Sequence, residues 1–147
     1  MDRKLLVGMY AAGLPFNGNS IKEKSLGGSE TALLYMAKAL ADRGHDVKVF
    51  NNCDKPGKYD GVDYFDFAES WRDISPITEW DVFVTSRNFT LLSQKMNSRL
   101  NILWNHDILT DRQAIMTNIW NCDAVFCLSD FHMEQFLSVA KELKPII

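Results

Sequence analysis

Apolar positions along this chain come in short runs that alternate with stretches of helical spacing. Residues 4–10 (KLLVGMY) predict a buried strand at the start, and the Gly-, Asn-, Ser- and Lys-rich segment 11–26 predicts a long loop. From 28 to 43, Leu33, Met36, Ala37 and Leu40 share one face at the spacing of an amphipathic helix, and Gly44 supplies its stop. Further strands are predicted at 46–50 (DVKVF), 62–65, 81–85 (DVFVT), 100–105 (LNILWN) and 124–128 (AVFCL). Segment 66–79, punctuated by Pro76, has room for one short helix; 88–97 reads as another, and 110–122 as a helix with a less regular apolar face. After the last strand, Ser129 is placed to cap a helix carrying Met133, Phe136, Leu137 and Ala140, with Pro145 just beyond it.

This alternation predicts the α/β class: a doubly wound, mainly parallel sheet with helices on both faces, Rossmann-like in architecture. The strands are nearly continuous apolar runs, the mark of burial on both sides. Neither a repeat nor a linker interrupts the pattern, so residues 1–147 read as one domain. In such sheets ligands gather at the carboxyl ends of the strands. That singles out the loop after the first strand and positions 86–88, 105–107 and 129–132.

Composition narrows the function. A chain of 147 residues buries roughly two-thirds of its unfolded surface in one core. A net charge of −3 gives no basic footprint, which sets nucleic acid aside as a main partner but leaves room for a local basic pocket. Cys53, Cys122 and Cys127 show neither C-x-x-C nor a metal-ligand spacing, so no metal is expected and a reducing, cytoplasmic setting is the simplest reading. The apolar run 5–9 is too short for a signal core or a membrane span, and no transmembrane segment is expected.

The usual occupant of such a fold is a dinucleotide, but no G-x-G-x-x-G follows the first strand and no P-loop occurs. The loop offers instead Gly27-Gly28-Ser29-Glu30-Thr31, running straight into the first long helix. Paired glycines let a ligand approach the backbone, and free N–H groups at a helix start suit a phosphate or diphosphate. A plain loop with Ser29 as cap and Glu30 complementing the helix dipole satisfies the same residues.

The stretch GGSETALLYMAKALADRGHDVKVF resembles the opening of family 4 glycosyltransferases, which have the GT-B fold. The family's Gly-Gly-x-Glu helix is matched by Gly27, Gly28 and Glu30, and its Arg-Gly-His-Asp/Glu-Val ending by Arg43, Gly44, His45, Asp46 and Val47. LWNHD and AVFCLSDFH are similar to later family elements in order and spacing, so the resemblance extends from Lys4 to about Leu143. It implies a retaining, metal-independent hexosyl transfer from a nucleotide-sugar to a sugar or lipid-linked acceptor, with no cofactor beyond the donor itself. The N-terminal half of such an enzyme mainly binds the acceptor. The nucleotide-sugar is held by a C-terminal domain that these residues do not include, and segment 143–147 (LKPII) reads as the start of an interdomain connection.

The resemblance assigns Gly27, Gly28 and Ser29 to the donor diphosphate, and His106 to a place beside the donor sugar with Asp107 as its orienting neighbour. Arg87 and Asn88, after the fourth strand, can hold an acceptor phosphate or hydroxyl, although an exposed arginine also serves as a simple solvated charge. Trp104 can line a sugar pocket or pack in the core. Lys22 and Lys24 read as solvated, His45 as structural, and His132 has no partner visible in sequence. The resulting expectation is the acceptor half of a glycosyltransferase, inactive alone. The alternative is a module that binds a phosphorylated ligand without chemistry.

Overall fold

The computed structural model describes residues 3–147. Its strands are β1 (Leu6–Ala11), β2 (Asp46–Tyr59), β3 (Val62–Asp66), β4 (Trp80–Ser86), β5 (Ser98–Trp104) and β6 (Ala124–Phe126). Its helices are α1 (Ser20–Glu23), α2 (Gly28–Asp42), α3 (Phe67–Ile74), α4 (Arg112–Asn118) and α5 (Asp130–Val139). The strands form one parallel six-stranded sheet in the order β3-β2-β1-β4-β5-β6. The α/β, Rossmann-like reading therefore holds. The order reverses direction between β1 and β4, and a crevice opens at that point, beyond the carboxyl ends of the strands.

Packing follows the apolar pattern. On one face α2 buries Leu33, Leu34 and Ala37 against Val7 and Met9 of β1, Val47 and Val49 of β2, and Val62 and Tyr64 of β3. On the other, Phe136 of α5 and Ile115 of α4 cover Leu103 and Val125, while Trp71 of α3 packs with Phe50, Trp80 and Phe83. The α2 face is only half covered. Beyond Met36 and Leu40, an apolar groove of about 470 Å³ runs over Val82, Val84, Ile102, Trp104 and Phe126.

Helix α2 ends where expected, whereas several other boundaries shift. Helix α2 closes in a Schellman turn, with His45 N–H on the Leu40 carbonyl at 3.2 Å and Gly44 N–H on that of Ala41 at 2.9 Å. Strand β2 runs well past Phe50, because residues 57–59 double back. Their partners count downward (Gly57↔Tyr64, Lys58↔Asp63, Tyr59↔Val62), the antiparallel sense of a hairpin closed by Asp60 and Gly61, both at positive φ. The helix expected at 88–97 is a 3-10 turn, Phe89–Ser93. The one expected at 110–122 shortens to α4, started by Asp111, whose carboxylate accepts Ala114 N–H. Strand β6 stops at Phe126, leaving Cys127 and Leu128 outside it, and Pro145 sits inside a terminal 3-10 segment, Lys141–Ile146.

The loop after β1 is packed rather than free. Phe16 is fully buried, and the Asn51 side chain holds its backbone from both sides, accepting Phe16 N–H at 3.3 Å and donating to its carbonyl at 2.9 Å. The loop is thereby fixed over the carboxyl end of β1, where it forms one wall of the crevice. Among the described residues, no helix is long and apolar enough to cross a membrane.

Candidate functional site

Three segments converge on the crevice: the loop and N-terminus of α2, the residues after β4, and those after β5. Gly13, Arg87, Asn88 and Asp107, with Ala12, line an open cleft of about 310 Å³. Each is there because a strand ends one to three residues earlier.

At the start of α2 the cap residue is Gly27 rather than Ser29. Gly27 is extended (φ −67°, ψ 163°), no side chain caps the helix, and Thr31 N–H reaches the Gly27 carbonyl at 3.0 Å. Glu30, third in the helix, is only 4% exposed, and its carboxylate turns back to the N-terminus, where it accepts the Ser29 hydroxyl at 3.1 Å. The neighbouring glycines fit around it. A Cβ on Gly27 would strike Glu30 Oε2, and one on Gly13 (φ 131°) would lie 2.7 Å from Oε1. Gly28 differs, since a Cβ there would touch nothing. The helix dipole favours negative charge at this end, and Glu30 already supplies it.

Arg87 follows β4 in a strained conformation. Its φ is 65°, and Asn88 N–H reaches across it to the Ser86 carbonyl at 2.8 Å, the geometry of a classic γ-turn. The turn aims the guanidinium over the crevice, where it grips Asp107 with two bonds, Nε to Oδ2 at 2.8 Å and Nη2 to Oδ1 at 3.1 Å. Nη1 lies 3.5 Å from Ser29 Oγ, at the limit of a hydrogen bond. Asn88 lines the cleft, but its side-chain oxygen is engaged as the cap of the next turn, accepting from Thr90 N–H at 3.1 Å and Thr90 Oγ1 at 2.6 Å.

His106 stands two residues after β5, its ring 4.8 Å from that of Trp104 and tilted by 43°. Its Nε2 is buried with no hydrogen-bond partner among the described residues. Burial pushes its pKa below the ordinary histidine value, with the Asp107 carboxylate opposing and Arg87 adding to the shift. The ring is therefore neutral near pH 7. Packed on Trp104, His106 is not among the residues that line the Arg87–Asp107 cleft. Trp104 itself faces the apolar groove beside α2, so the structure separates it from the Arg87–Asp107 cleft.

Two residues inside the segments singled out in sequence, 105–107 and 129–132, hold this arrangement, although the sequence assigned neither a role. His132, 7% exposed, joins the first turn of α5 to the turn after β5, with Nε2 2.9 Å from the Asp107 carbonyl. Asn105, fully buried, accepts Asp107 N–H on its side-chain oxygen at 3.2 Å. The His132 contact crosses elements and leaves no spacing signal, whereas the Asn105 bond is local, two residues along in the same turn. Glu30 did carry one, an acidic side chain at the third position of a helix, where it can fold back on the cap. Elsewhere, Ser129 caps α5 as expected, His45 accepts Leu5 N–H at the opposite edge of the sheet, and Lys24 donates to the Pro15 carbonyl.

Among the residues that line the cleft, Arg87 is the cation and Asp107 the carboxylate, while Glu30 lies buried behind Gly13 and Gly27. All three cysteines are free, and burial raises each thiol pKa. Among the described residues, no group of three or more His, Cys, Asp or Glu side chains is placed to hold a metal ion. Compared with known proteins, the chain matches no family model and has no significant match among curated proteins.

Proposed function

We propose that the chain is the acceptor-side half of a retaining glycosyltransferase of the GT-B type, moving a hexosyl group from a nucleotide-sugar to a hydroxyl acceptor. The observation that carries this reading is the meeting of the glycosyltransferase-like Gly27–Gly28–Glu30 helix start with Arg87 and Asp107 at the reversal of strand order. In this reading, Arg87 and Asp107 hold acceptor hydroxyls, and neutral His106, next to Asp107, is the residue that the family resemblance puts beside the reacting sugar.

Electrostatics refines the substrate class. With the Arg87 guanidinium already paired to Asp107, the cleft suits a neutral polyhydroxylated acceptor better than a phosphorylated one. A donor diphosphate approaching Gly27 and Gly28 would meet the Glu30 carboxylate, so its counter-charge has to come from a second, nucleotide-holding half. That requirement makes the chain inactive alone.

The test compares nucleotide-sugar turnover by this 147-residue chain and by the gene product extended past Ile147. Turnover in the longer form only, abolished by His106→Ala, is the expected result. No turnover in either form, together with saturable binding of sugar phosphates in the Arg87 cleft, would replace the transferase by a phosphate-binding module.

A further inference from the structure

We propose that His132 is the positioning residue of this crevice: it holds the turn after β5 so that the Asp107 carboxylate faces Arg87. The proposal rests on the reading of Arg87 and Asp107 as the ligand-holding pair, and goes beyond it by naming what aims them.

The argument begins with protons. Leu128 N–H points at His132 Nδ1 from 3.1 Å, so Nδ1 must offer a lone pair. A neutral imidazole carries one N–H, which therefore sits on Nε2 and donates to the Asp107 carbonyl at 2.9 Å. The Asn105 amide nitrogen, 3.2 Å from the same Nε2, is a donor and cannot replace that bond, because its own oxygen is committed to Asp107 N–H. Asp107 is thus held at both its N–H and its C=O by two buried side chains. Asn105 in turn is tied to β6 by its N–H on the Phe126 carbonyl at 2.9 Å.

Position in the fold makes this a coupling device. His132 is fixed by α5, where the Ser129 hydroxyl accepts its N–H at 3.1 Å. Asp107 lies in the turn after β5, and Arg87 in the γ-turn after β4. The chain of bonds runs from α5 through His132 and the Asp107 backbone to the Asp107 carboxylate and the guanidinium. The pair itself is half exposed on both sides, with about 40% of each side chain open to solvent. Its direct attraction is accordingly weak, and its geometry depends on how firmly the turn is held.

The experiment is nuclear magnetic resonance on the whole 147-residue chain. Ring-nitrogen correlations on the unsubstituted protein are expected to show His132 as the neutral Nε2–H tautomer; an Nδ1–H form would overturn the proposal without any variant. Two substitutions then divide the ring. His132→Gln offers an N–H where Nε2 stands, and His132→Asn offers an acceptor where Nδ1 stands. The solvent exchange of the Arg87 Nε–H reports the pair. His132→Gln is expected to leave it nearly unchanged, whereas His132→Asn speeds it by about fivefold, the full worth of a half-exposed ion pair. Equal effects from the two variants would reduce His132 to a packing residue and sink the proposal. If the contrast holds while the extended gene product shows no sugar transfer, the positioning role stands and the transferase reading fails. The opposite pattern, transfer without the contrast, removes the positioning role alone.

Discussion

Gly27 and Gly28 are neighbours with the same side chain, yet the structure assigns their alanine variants opposite signs. A methyl group at Gly28 meets open space, and alanine is preferred over glycine inside a helix, so Gly28→Ala should stabilise by about 0.5–1 kcal/mol. A methyl group at Gly27 drives into the buried Glu30 carboxylate. Displacing that carboxylate forfeits its bond from Ser29, worth about 1 kcal/mol, and its position at the helix N-terminus, worth about 0.3–1 kcal/mol. Gly27 has a φ of −67°, open to any residue, so reduced freedom of the unfolded chain returns about 0.4–1 kcal/mol. Alanine's poor showing as a cap takes away a similar amount, about 0.5–1 kcal/mol. Gly27→Ala should therefore lose about 1–2 kcal/mol, all of it attributable to Glu30. In a Glu30→Ala background the same change should be neutral to within about 0.5 kcal/mol, giving a coupling energy of about 1–2 kcal/mol, as expected of residues in contact. Urea unfolding followed by tryptophan fluorescence measures each member of the cycle, with stability compared at constant m. If Gly27→Ala stabilises as Gly28→Ala does while Glu30 is intact, the carboxylate does not occupy the helix start and the charge balance of the crevice must be redrawn.

Burial lowers the His106 pKa, so between that value and the unfolded value near 6.5 the unfolded chain binds more protons. Its contribution is complete above about pH 6.5 and declines as the pH falls toward the folded pKa. His106→Phe should flatten the fall in urea midpoint between pH 8 and pH 5, and an unchanged profile would show that the ring is not desolvated. Arg87→Ala leaves the positive-φ γ-turn in place and loses a half-exposed pair worth about 0.2–1 kcal/mol. Its stability should fall by no more than about 1 kcal/mol, while the acceptor-sugar binding that the proposed function calls for, read by chemical-shift titration, is lost. Asn51→Ala strips partners from both polar groups of buried Phe16 and should cost about 2–4 kcal/mol, with faster amide exchange through the loop after β1. Exchange unchanged in that loop would mean it is held by other contacts.

Much of the architecture was legible in sequence because it follows from local period. The helix around Leu33 and Ala37, its stop at Gly44, the cap at Ser129 and the apolar strand runs each depend on residues within a few positions of one another, and each was found. Local pattern also located the crevice, since a parallel sheet with alternating helices exposes its ligand edge at the carboxyl ends of its strands. Where short-range signals ran out, boundaries slipped. Residues 57–59 return as a hairpin arm through pairing with β3, and the segments expected as helices at 88–97 and 110–122 shortened in tertiary context.

The site is where sequence and structure part most clearly. The chain itself determined which polar residues follow the inner strands at their carboxyl ends: Arg87 and Asn88 after β4, His106 and Asp107 after β5. Only the tertiary structure decided their roles, because each depends on a partner far away in sequence. Arg87 grips Asp107 across 20 positions, and His132 meets the Asp107 carbonyl across 25. Asn88 is drawn off as a cap, and Trp104 turns to the groove beside α2. Glu30, whose position alone suggested a favourable dipole contact, proves to be a buried carboxylate packed between Gly13 and Gly27. The physical reason is range. Helix period, caps and turn residues act over a few positions, whereas charge balance and hydrogen-bond satisfaction in a cleft depend on which distant side chains folding brings within about 3 Å.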